Sequence, residues 1–141
     1  MTSEENKQLI EKLINEAVNN KKFSLLDEII DPNFVCHGIH SSQRAPGCFK
    51  EILIQFNRVF PDFQAKIEQI IAEDDLVATI GYWTDTNDPF IGLVSSEKHV
   101  CVPYSDFWRV KNGKCVENWT QMDMVSILQQ IDAPPLELEY V

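Results

Sequence analysis

Residues 100–122 read VCVPYSDFWRVKNGKCVENWTQM, and this stretch decides the fold. Polar and apolar side chains alternate on both sides of Asn112-Gly113, a dipeptide that strongly indicates a tight turn between antiparallel strands. We therefore predict two long strands, residues 99–110 and 114–122, paired as a hairpin. The length of the loop decides which side chains share a face, because a shift of one residue moves every side chain to the opposite face.

Two registers are compatible with this turn. A two-residue loop places Asp106 opposite Trp119, and each face then mixes charged with large apolar side chains. A three-residue loop, residues 111–113 with Gly113 in the left-handed region, places Asp106 opposite Asn118 and separates the two faces better. We predict the three-residue loop.

The face selected by this register is mostly apolar and carries a polar cluster at one end. Apolar walls with a few convergent polar groups are typical of a small-molecule pocket. In the preceding hairpin the alternate residues from Leu76 to Tyr82 form the more apolar set, so Tyr82 is predicted to join the lining and Trp83 to face outward. The predicted ligand-binding residues are Tyr82, Tyr104, Trp108, Asn118, Thr120 and Cys36.

Upstream of the hairpins the apolar period is 3.6 rather than two, which predicts helices. Thr2 and Glu5 form a capping box before the first helix. Shorter helices are predicted over residues 24–31 and 46–60, with a strand over residues 33–39 between them. Helices followed by long, mostly antiparallel strands predict an α+β domain, in which the helices cover one face of a curved sheet and enclose a cone-shaped space.

Length, composition and charge limit the possible classes of protein. The 141 residues suit a single domain, with residues 132–141 as a C-terminal tail after a last short helix that begins at Asp123. Asp and Glu number 22 against 12 Lys and Arg, so the net charge is −10 and nucleic acid and anionic membranes are unfavourable partners. The polar segment MTSEENKQ and the lack of a long apolar run predict a cytoplasmic protein. The four cysteines lack zinc-ligand spacing, and we predict no metal and no cofactor.

Several short segments match a known pattern. They are FVCH at 34–37, FPD at 60–62, IIAEDDLVA at 70–78, GL at 92–93, VCVP at 100–103, FWRVKNGK at 107–114, ENW at 117–119, Asp123 and LQQ at 128–130. With these segments the chain resembles the SnoaL-like polyketide cyclase family of the nuclear transport factor 2-like superfamily, over about residues 7–131. Since this superfamily hosts enzymes and binding proteins alike, the resemblance is specific for the fold and weak for the reaction.

The resemblance implies a cone-shaped pocket, often in a dimer, where acid/base residues act on a hydrophobic carbonyl substrate without a metal or an organic cofactor. In the family's characterised cyclases an aspartate on the last strand is the general base, and a histidine on the neighbouring strand assists it. This sequence has Thr120 and Asp106 at those two positions. Because a threonine hydroxyl is no base at neutral pH, we expect Asp106 to be the catalytic base, with a pKa raised by the aromatic residues around it. His37, next to a strand end, is the second predicted catalytic residue.

Two functions remain open at this point. One is an enzyme that moves protons on a small hydrophobic carbonyl compound during cyclisation or isomerisation, and the other is a non-catalytic module that binds such a compound. For Asp106 the alternative to catalysis is a strand aspartate that pairs with Asn118 or faces water. Trp83, Trp119 and Phe107 would form a large apolar patch on the outer face of a monomer, which predicts a homodimer.

Overall fold

The computed structural model describes residues 2–37, 43–44, 48–85 and 100–123. The helical elements are α1 (Ser3–Lys12), a π-helical turn (Leu13–Asn19), a 3-10 turn (Phe23–Leu25), α2 (Leu26–Ile29) and α3 (Cys48–Val59). The strands are β1 (Ile30–His37), β2 (Gln43–Arg44), β3 (Gln64–Glu73), β4 (Leu76–Asp85), β5 (Val100–Lys111) and β6 (Lys114–Met122). The predicted last helix and C-terminal tail lie outside the described residues.

The strands form one mixed sheet in the order β2-β1-β6-β5-β4-β3. Neighbouring strands are antiparallel except β1 and β6, which are parallel. The helices cover one face of this sheet, called the inner face here, and leave the outer face without a covering element among the described residues. The α+β class and the nuclear transport factor 2-like fold predicted from the sequence are confirmed.

The first helix begins where the capping pattern places it. The Thr2 hydroxyl accepts a hydrogen bond from the backbone N–H of Glu5 at 3.1 Å, which satisfies one of the free donors of the first turn. The apolar stripe of α1 continues through the π-helical turn, and its buried members are Ile10, Leu13, Ile14, Ala17 and Val18. This stripe packs against the inner face of the sheet.

Asn19 fastens the end of this helical segment to β3, the outermost strand. Its side-chain oxygen accepts a hydrogen bond from the backbone N–H of Ala65 at 2.7 Å, and its nitrogen donates to the Ala65 carbonyl at 2.8 Å. Lys21 donates a third bond from its Nζ to the carbonyl of Phe63 at 3.2 Å. The helix is thus fixed to the edge of the sheet by side-chain contacts to backbone.

Strand β1 begins earlier than predicted. It starts at Ile30 and includes Pro32, whereas the sequence predicts a strand only from Asn33. The ladder with β6 is interrupted between Ile30 and Val35, so the proline lies where no ladder hydrogen bond is made. Proline is tolerated there because it has no N–H to contribute.

In β4 the predicted orientation is wrong. Trp83 is buried on the inner face at 1% exposure, and Tyr82 lies on the outer face. The indole of Trp83 has ring centroids of Phe56 and Phe60 at 4.9 Å and of Phe63 at 5.3 Å. Burial of this large ring among three phenylalanines outweighs the small apolar advantage of the opposite set of side chains.

A close backbone approach fixes the same orientation. Glu68 of β3 has no partner on β4 because of a bulge opposite Gly81. A Cβ atom on Gly81 would lie 1.9 Å from the carbonyl oxygen of Lys66, which no side chain can tolerate without a backbone shift. Gly81 is therefore required at this position of the inner face.

The last hairpin has the predicted faces but not the predicted register. Its loop is a two-residue turn in which Asn112 and Gly113 both have positive φ, at 53° and 76°. Lys111 and Lys114 are partners, and Val116 is then left without one by a bulge. Beyond this bulge Asp106 lies opposite Thr120, and the predicted pairing with Asn118 is wrong by two residues.

The bulge explains why the assignment of faces is right nevertheless. A register error of two residues returns every side chain to its original face, since the side-chain period of a strand is two. Tyr104, Asp106 and Trp108 of β5 are buried on the inner face, while Phe107 lies on the outer face. Within the described residues, none of the helices has the length and apolar character of a membrane span.

Candidate active site

A cavity of about 60 Å³ lies between the helices and the inner face of the sheet. The helices contribute only apolar side chains to it, and the strands contribute aromatic and polar ones. Its lining is Ile14, Val18, Phe49, Leu53, Phe63, Ala65, Trp83, Tyr104, Asp106, Trp108, Thr120 and Met122. Asp106 is the carboxylate among these lining residues.

Asp106 occupies the middle of the sheet. Its Cα partners are Thr79 on β4 and Thr120 on β6, and its side chain is directed between them into the apolar cavity. The residue is 6% exposed, and its Oδ1 atom has no hydrogen-bond partner in the protein. Burial raises the pKa of Asp106 to about 7, and the side chains of Thr120 and Trp108, which favour the carboxylate, oppose only part of this rise. A carboxyl of this kind can both give and take a proton near neutral pH.

Tyr104 lies two residues before Asp106 on the same face of β5. Its phenolic oxygen is buried and has no hydrogen-bond partner in the protein. Burial raises the pKa of Tyr104 to about 12, and the negative charge of Asp106 adds to the rise. The phenol therefore keeps its proton at neutral pH and can donate it in a hydrogen bond to a ligand oxygen.

Further polar atoms on the inner face have no protein partner. They are the indole N–H groups of Trp83 and Trp108 and the hydroxyl of Thr79, which are all buried. A buried donor without an acceptor costs about 1–3 kcal/mol, so such groups are retained where a ligand or a water molecule satisfies them. The site is rich in donors, which suits a ligand with oxygen acceptors.

Asn118 and Thr120 form a hydrogen-bonded pair behind the cavity. The Thr120 hydroxyl donates to the Asn118 side-chain oxygen at 2.9 Å, and the Asn118 amide nitrogen donates to the carbonyl of Phe107 at 3.2 Å. Thr120 lines the cavity, whereas Asn118 is buried one layer away, next to its Cα partner Cys36 on β1.

Comparison with known proteins identifies the family. The family model described as SnoaL-like polyketide cyclase matches residues 8–131. The chain belongs to the SnoaL-like polyketide cyclase family. No curated protein is significantly similar to the chain in sequence.

Solved structures agree with this assignment. Wild-type IdmH from Streptomyces antibioticus, a proposed polyketide cyclase, is 26% identical, with a TM-score of 0.81 over 91% of this chain and 99% of IdmH. AclR from Streptomyces galilaeus, a proposed hydroxylase, is 23% identical, with a TM-score of 0.83 over 95% of this chain and 89% of AclR. A proposed SnoaL-like polyketide cyclase from Jannaschia sp. CCS1 is 20% identical, with a TM-score of 0.83 over 94% of this chain and 95% of that protein. The last two comparisons bear on the fold alone.

Two predicted site residues of this SnoaL-like protein lie on the wrong side of the sheet. His37 and Tyr82 are on the outer face, so neither is brought together with Asp106. The ring of His37 is stacked on that of Trp119 with centroids 5.0 Å apart, and its Nε2 lies 2.8 Å from Glu117 Oε2. Successive side chains of β1 point to opposite faces of the sheet. Phe34 and Cys36 are buried on the inner face, so His37 points to the outer face.

Glu117 also links His37 to a surface ion-pair network. Arg109 donates from Nε to Glu117 Oε1 at 3.3 Å and from a terminal nitrogen to Asp75 Oδ1 at 2.7 Å. These contacts raise the pKa of Arg109, chiefly through the hydrogen bond to Asp75. The network joins β1, β5, β6 and the turn before β4 on the outer face, away from the cavity.

Sequence reasoning missed Trp83 and Thr79 as inner-face residues. The sequence feature that could have predicted this orientation is Gly81, which lies between them on the same face of β4. A glycine inside a strand often marks a close backbone approach, and the side facing that approach is the buried one. In the part of the chain that the structure describes, no three His, Cys, Asp or Glu side chains are grouped so as to hold a metal ion.

Proposed function

We propose that this SnoaL-like protein is a cofactor-independent acid/base catalyst that acts on a small hydrophobic carbonyl compound, in a cyclisation or an isomerisation. The observation that carries the proposal is Asp106, a carboxyl buried in an apolar cavity with its pKa raised to about 7. Perturbed acids of this kind are concentrated at catalytic sites. A carboxyl used only to stabilise the sheet would be expected to have its oxygens paired, and Oδ1 of Asp106 is not.

The proposed chemistry follows from the positions of the polar groups. The ionised Asp106 takes a proton from the carbon next to the substrate carbonyl, which leaves an enolate. Tyr104 donates a hydrogen bond to the enolate oxygen, whose negative charge is otherwise unfavourable in an apolar cavity. Asp106 then returns its proton to carbon at the new position, and the carboxyl is regenerated.

A non-catalytic module that binds the same class of compound is the second candidate. One observation favours it: the position of the family's base holds Thr120, whose hydroxyl proton is already donated to Asn118. Under this alternative the unpaired donors of Tyr104, Trp83 and Trp108 bind the oxygens of a ligand that leaves unchanged.

Hydrogen–deuterium exchange on a model ketone distinguishes the two. The protein is mixed with 2-tetralone in D₂O, and loss of the α-proton signal is followed by proton NMR. We expect the wild-type protein to accelerate exchange, and Asp106→Asn to reduce that acceleration about 10²–10⁴-fold, the usual contribution of a general base. Asp27→Asn is the control, because the Asp27 side chain is 71% exposed and is not among the residues that line the cavity.

Each result has a clear meaning. Exchange that Asp106→Asn leaves unchanged contradicts the assignment of the base. Binding of the ketone without any accelerated exchange, detected by quenching of tryptophan fluorescence, favours the binding module. Native mass spectrometry of the protein as purified then shows whether a natural compound of this class is retained.

We also propose a homodimer formed through the outer face, in a cytoplasmic protein. Trp83 no longer supports the dimer, since it is buried, but other apolar residues of this face are exposed. They are Ile71 at 68%, Phe107 at 50% and Ile80 at 48% exposure. Adjacent exposed apolar side chains on one sheet face are typical of an interaction surface. Light scattering should give twice the monomer mass, and a monomer at all concentrations would exclude this dimer.

A further inference from the structure

Trp108 follows Asp106 by two positions on β5, so both side chains lie on the inner face of the sheet. Both of them line the same cavity. The indole N–H of Trp108 is buried and has no hydrogen-bond acceptor among the described residues, and Asp106 Oδ1 is buried and has no donor. A free donor and a free acceptor therefore lie on neighbouring inner-face side chains of one strand.

Aromatic contacts hold the ring of Trp108 on two sides. Its centroid lies 6.3 Å from that of Phe34 on β1, with the two planes stacked at 26°. It lies 5.2 Å from the centroid of Phe49 on α3, with the planes edge to face at 86°. The side chain is 1% exposed. Because a ring enclosed in this way has little room to turn, packing fixes the direction of its N–H.

The other donor near Asp106 has an acceptor of its own. Thr120 also favours the ionised Asp106, but in the structure its hydroxyl donates to the Asn118 oxygen at 2.9 Å. The indole of Trp108 has no competing acceptor in the described part of the chain, and an indole N–H can only donate. A hydrogen bond to a carboxylate is about twice as strong as one between neutral groups, so a contact between Trp108 and Asp106 strengthens when Asp106 loses its proton.

We propose that Trp108 is a positioning residue that donates its indole N–H to the Asp106 carboxylate and so stabilises the base in its ionised form. Its role in catalysis rests on the proposed function, in which the ionised Asp106 takes a proton from the substrate. With a pKa of about 7, about one half of Asp106 is ionised at pH 7. A tenfold smaller proton dissociation constant would leave about one tenth ionised, so loss of this donor would leave little active base.

The other groups that can influence the titration of Asp106 are the same in every variant compared below. Within the described residues, the cross-strand partners of Asp106 are Thr79 and Thr120, which do not titrate, and the helices present only apolar side chains to the cavity. Burial raises the pKa values of Tyr104 and Cys115 to about 12, so both are uncharged at neutral pH. The remaining buried titratable side chains of the inner face are Cys36 on β1 and Asp85, the last residue of β4.

The test is the pKa of Asp106 in the ligand-free protein, measured by ¹³C NMR of the side-chain carboxyl, with benzothienylalanine in place of Trp108. This analogue keeps the two fused rings and has a sulfur atom where the indole has its N–H. The contacts with Phe34 and Phe49 are then retained, and the donor alone is lost. We expect the pKa to rise, with the proton dissociation constant reduced about tenfold, the effect of one hydrogen bond to a charged group.

The matched control is benzothienylalanine in place of Trp83. This indole N–H is also buried without an acceptor on the inner face, and its ring is packed among three phenylalanines. Trp83 is paired with Val102, whereas Asp106 is paired with Thr79 farther along β4, so this N–H is not adjacent to the carboxyl. The same chemical change at Trp83 should leave the pKa of Asp106 unchanged.

Trp108→Phe is a second variant that uses natural amino acids. It also removes the donor, and the smaller ring leaves space that water can enter. Water around Asp106 would relieve its burial and lower the pKa, which is opposite to the effect of losing the donor. A rise in Trp108→Phe therefore identifies the lost N–H, and this variant replaces the analogue if the analogue does not fold.

A raised pKa with the change at Trp108 and none with the change at Trp83 supports the proposal. An unchanged or lowered pKa with the change at Trp108, or an equal rise with both changes, overturns it. Where the wild-type protein exchanges the protons of 2-tetralone, the midpoint of the pH profile of exchange should rise with the pKa, and a midpoint that stays in place also overturns it. The titrations contain no ketone, so a lack of exchange by the wild-type protein contradicts the proposed function and not the contact between Trp108 and Asp106.

Discussion

Replacement of Asp106 by asparagine tests the buried carboxyl through protein stability, with no need to know the substrate. Asparagine has nearly the same shape as aspartic acid and cannot ionise. In the folded protein burial raises the pKa of Asp106 from its ordinary value of 3.8 to about 7. In the unfolded chain the carboxyl is in water and ionises at its ordinary value.

The sign and size of the effect follow from these two pKa values. Between pH 4 and pH 7 the folded state holds a proton that the unfolded state has lost, so stability falls as the pH rises and levels off above pH 7. Each pH unit is equivalent to about 1.4 kcal/mol. From pH 5 to pH 8 the wild-type protein should therefore lose about 3 kcal/mol of unfolding free energy relative to Asp106→Asn, since titration ends near pH 7.

Urea unfolding of both proteins at pH 5, 6, 7 and 8, followed by tryptophan fluorescence, measures this difference. Other groups that titrate in this range are common to both proteins and cancel. Asp27→Asn removes an exposed carboxyl and should show no such pH dependence. A constant difference between wild type and Asp106→Asn over the whole range would refute the argument that Asp106 is buried in its protonated form.

Three further changes test the fold. Gly81→Ala should cost about 1–3 kcal/mol in urea unfolding, because its Cβ would lie 1.9 Å from the Lys66 carbonyl oxygen; an unchanged midpoint would disprove the close approach. Thr2→Ala should cost about 1 kcal/mol by removing the cap of the first helix, and Thr2→Ser should restore most of it; equal losses in both would count against the cap. Burial raises the pKa of Cys115 to about 12, so its thiol should react with iodoacetamide at pH 8 far more slowly than exposed Cys101; equal labelling by peptide mass analysis would contradict this.

The last hairpin shows which structural features can be predicted from the sequence and which cannot. The Asn112-Gly113 turn and the alternation of side chains were enough to place Tyr104, Asp106 and Trp108 on one buried face. The bulge at Val116 could not be predicted, because no glycine or proline marks it and its neighbours fit either pairing. The pairing was therefore wrong by two residues while the faces were right.

The positions of the candidate-site residues depend on two factors, the alternation of side chains along a strand and the packing between strands and helices. Four residues line the cavity because they lie on the same face of the last hairpin: Tyr104, Asp106, Trp108 and Thr120. Tyr82 was assigned by counting apolar residues on the two faces of β4, and such counts ignore how well one large ring can pack. Packing of Trp83 against three phenylalanines decided the orientation of that strand, and a count of apolar residues does not take such packing into account.

The attachment of Asn19 to Ala65 has a consequence for how copies of this protein meet. β3 is the last strand of the sheet, and an open strand edge is a template on which another chain can add a strand and begin to aggregate. The Asn19 amide is hydrogen-bonded to the outward N–H and C=O of Ala65, so these two groups are not available to pair with an incoming strand. The Phe63 carbonyl next to it is bound by Lys21, a charged side chain that discourages an apolar partner. One asparagine at the end of a helix thus protects this end of the sheet from continuous strand addition.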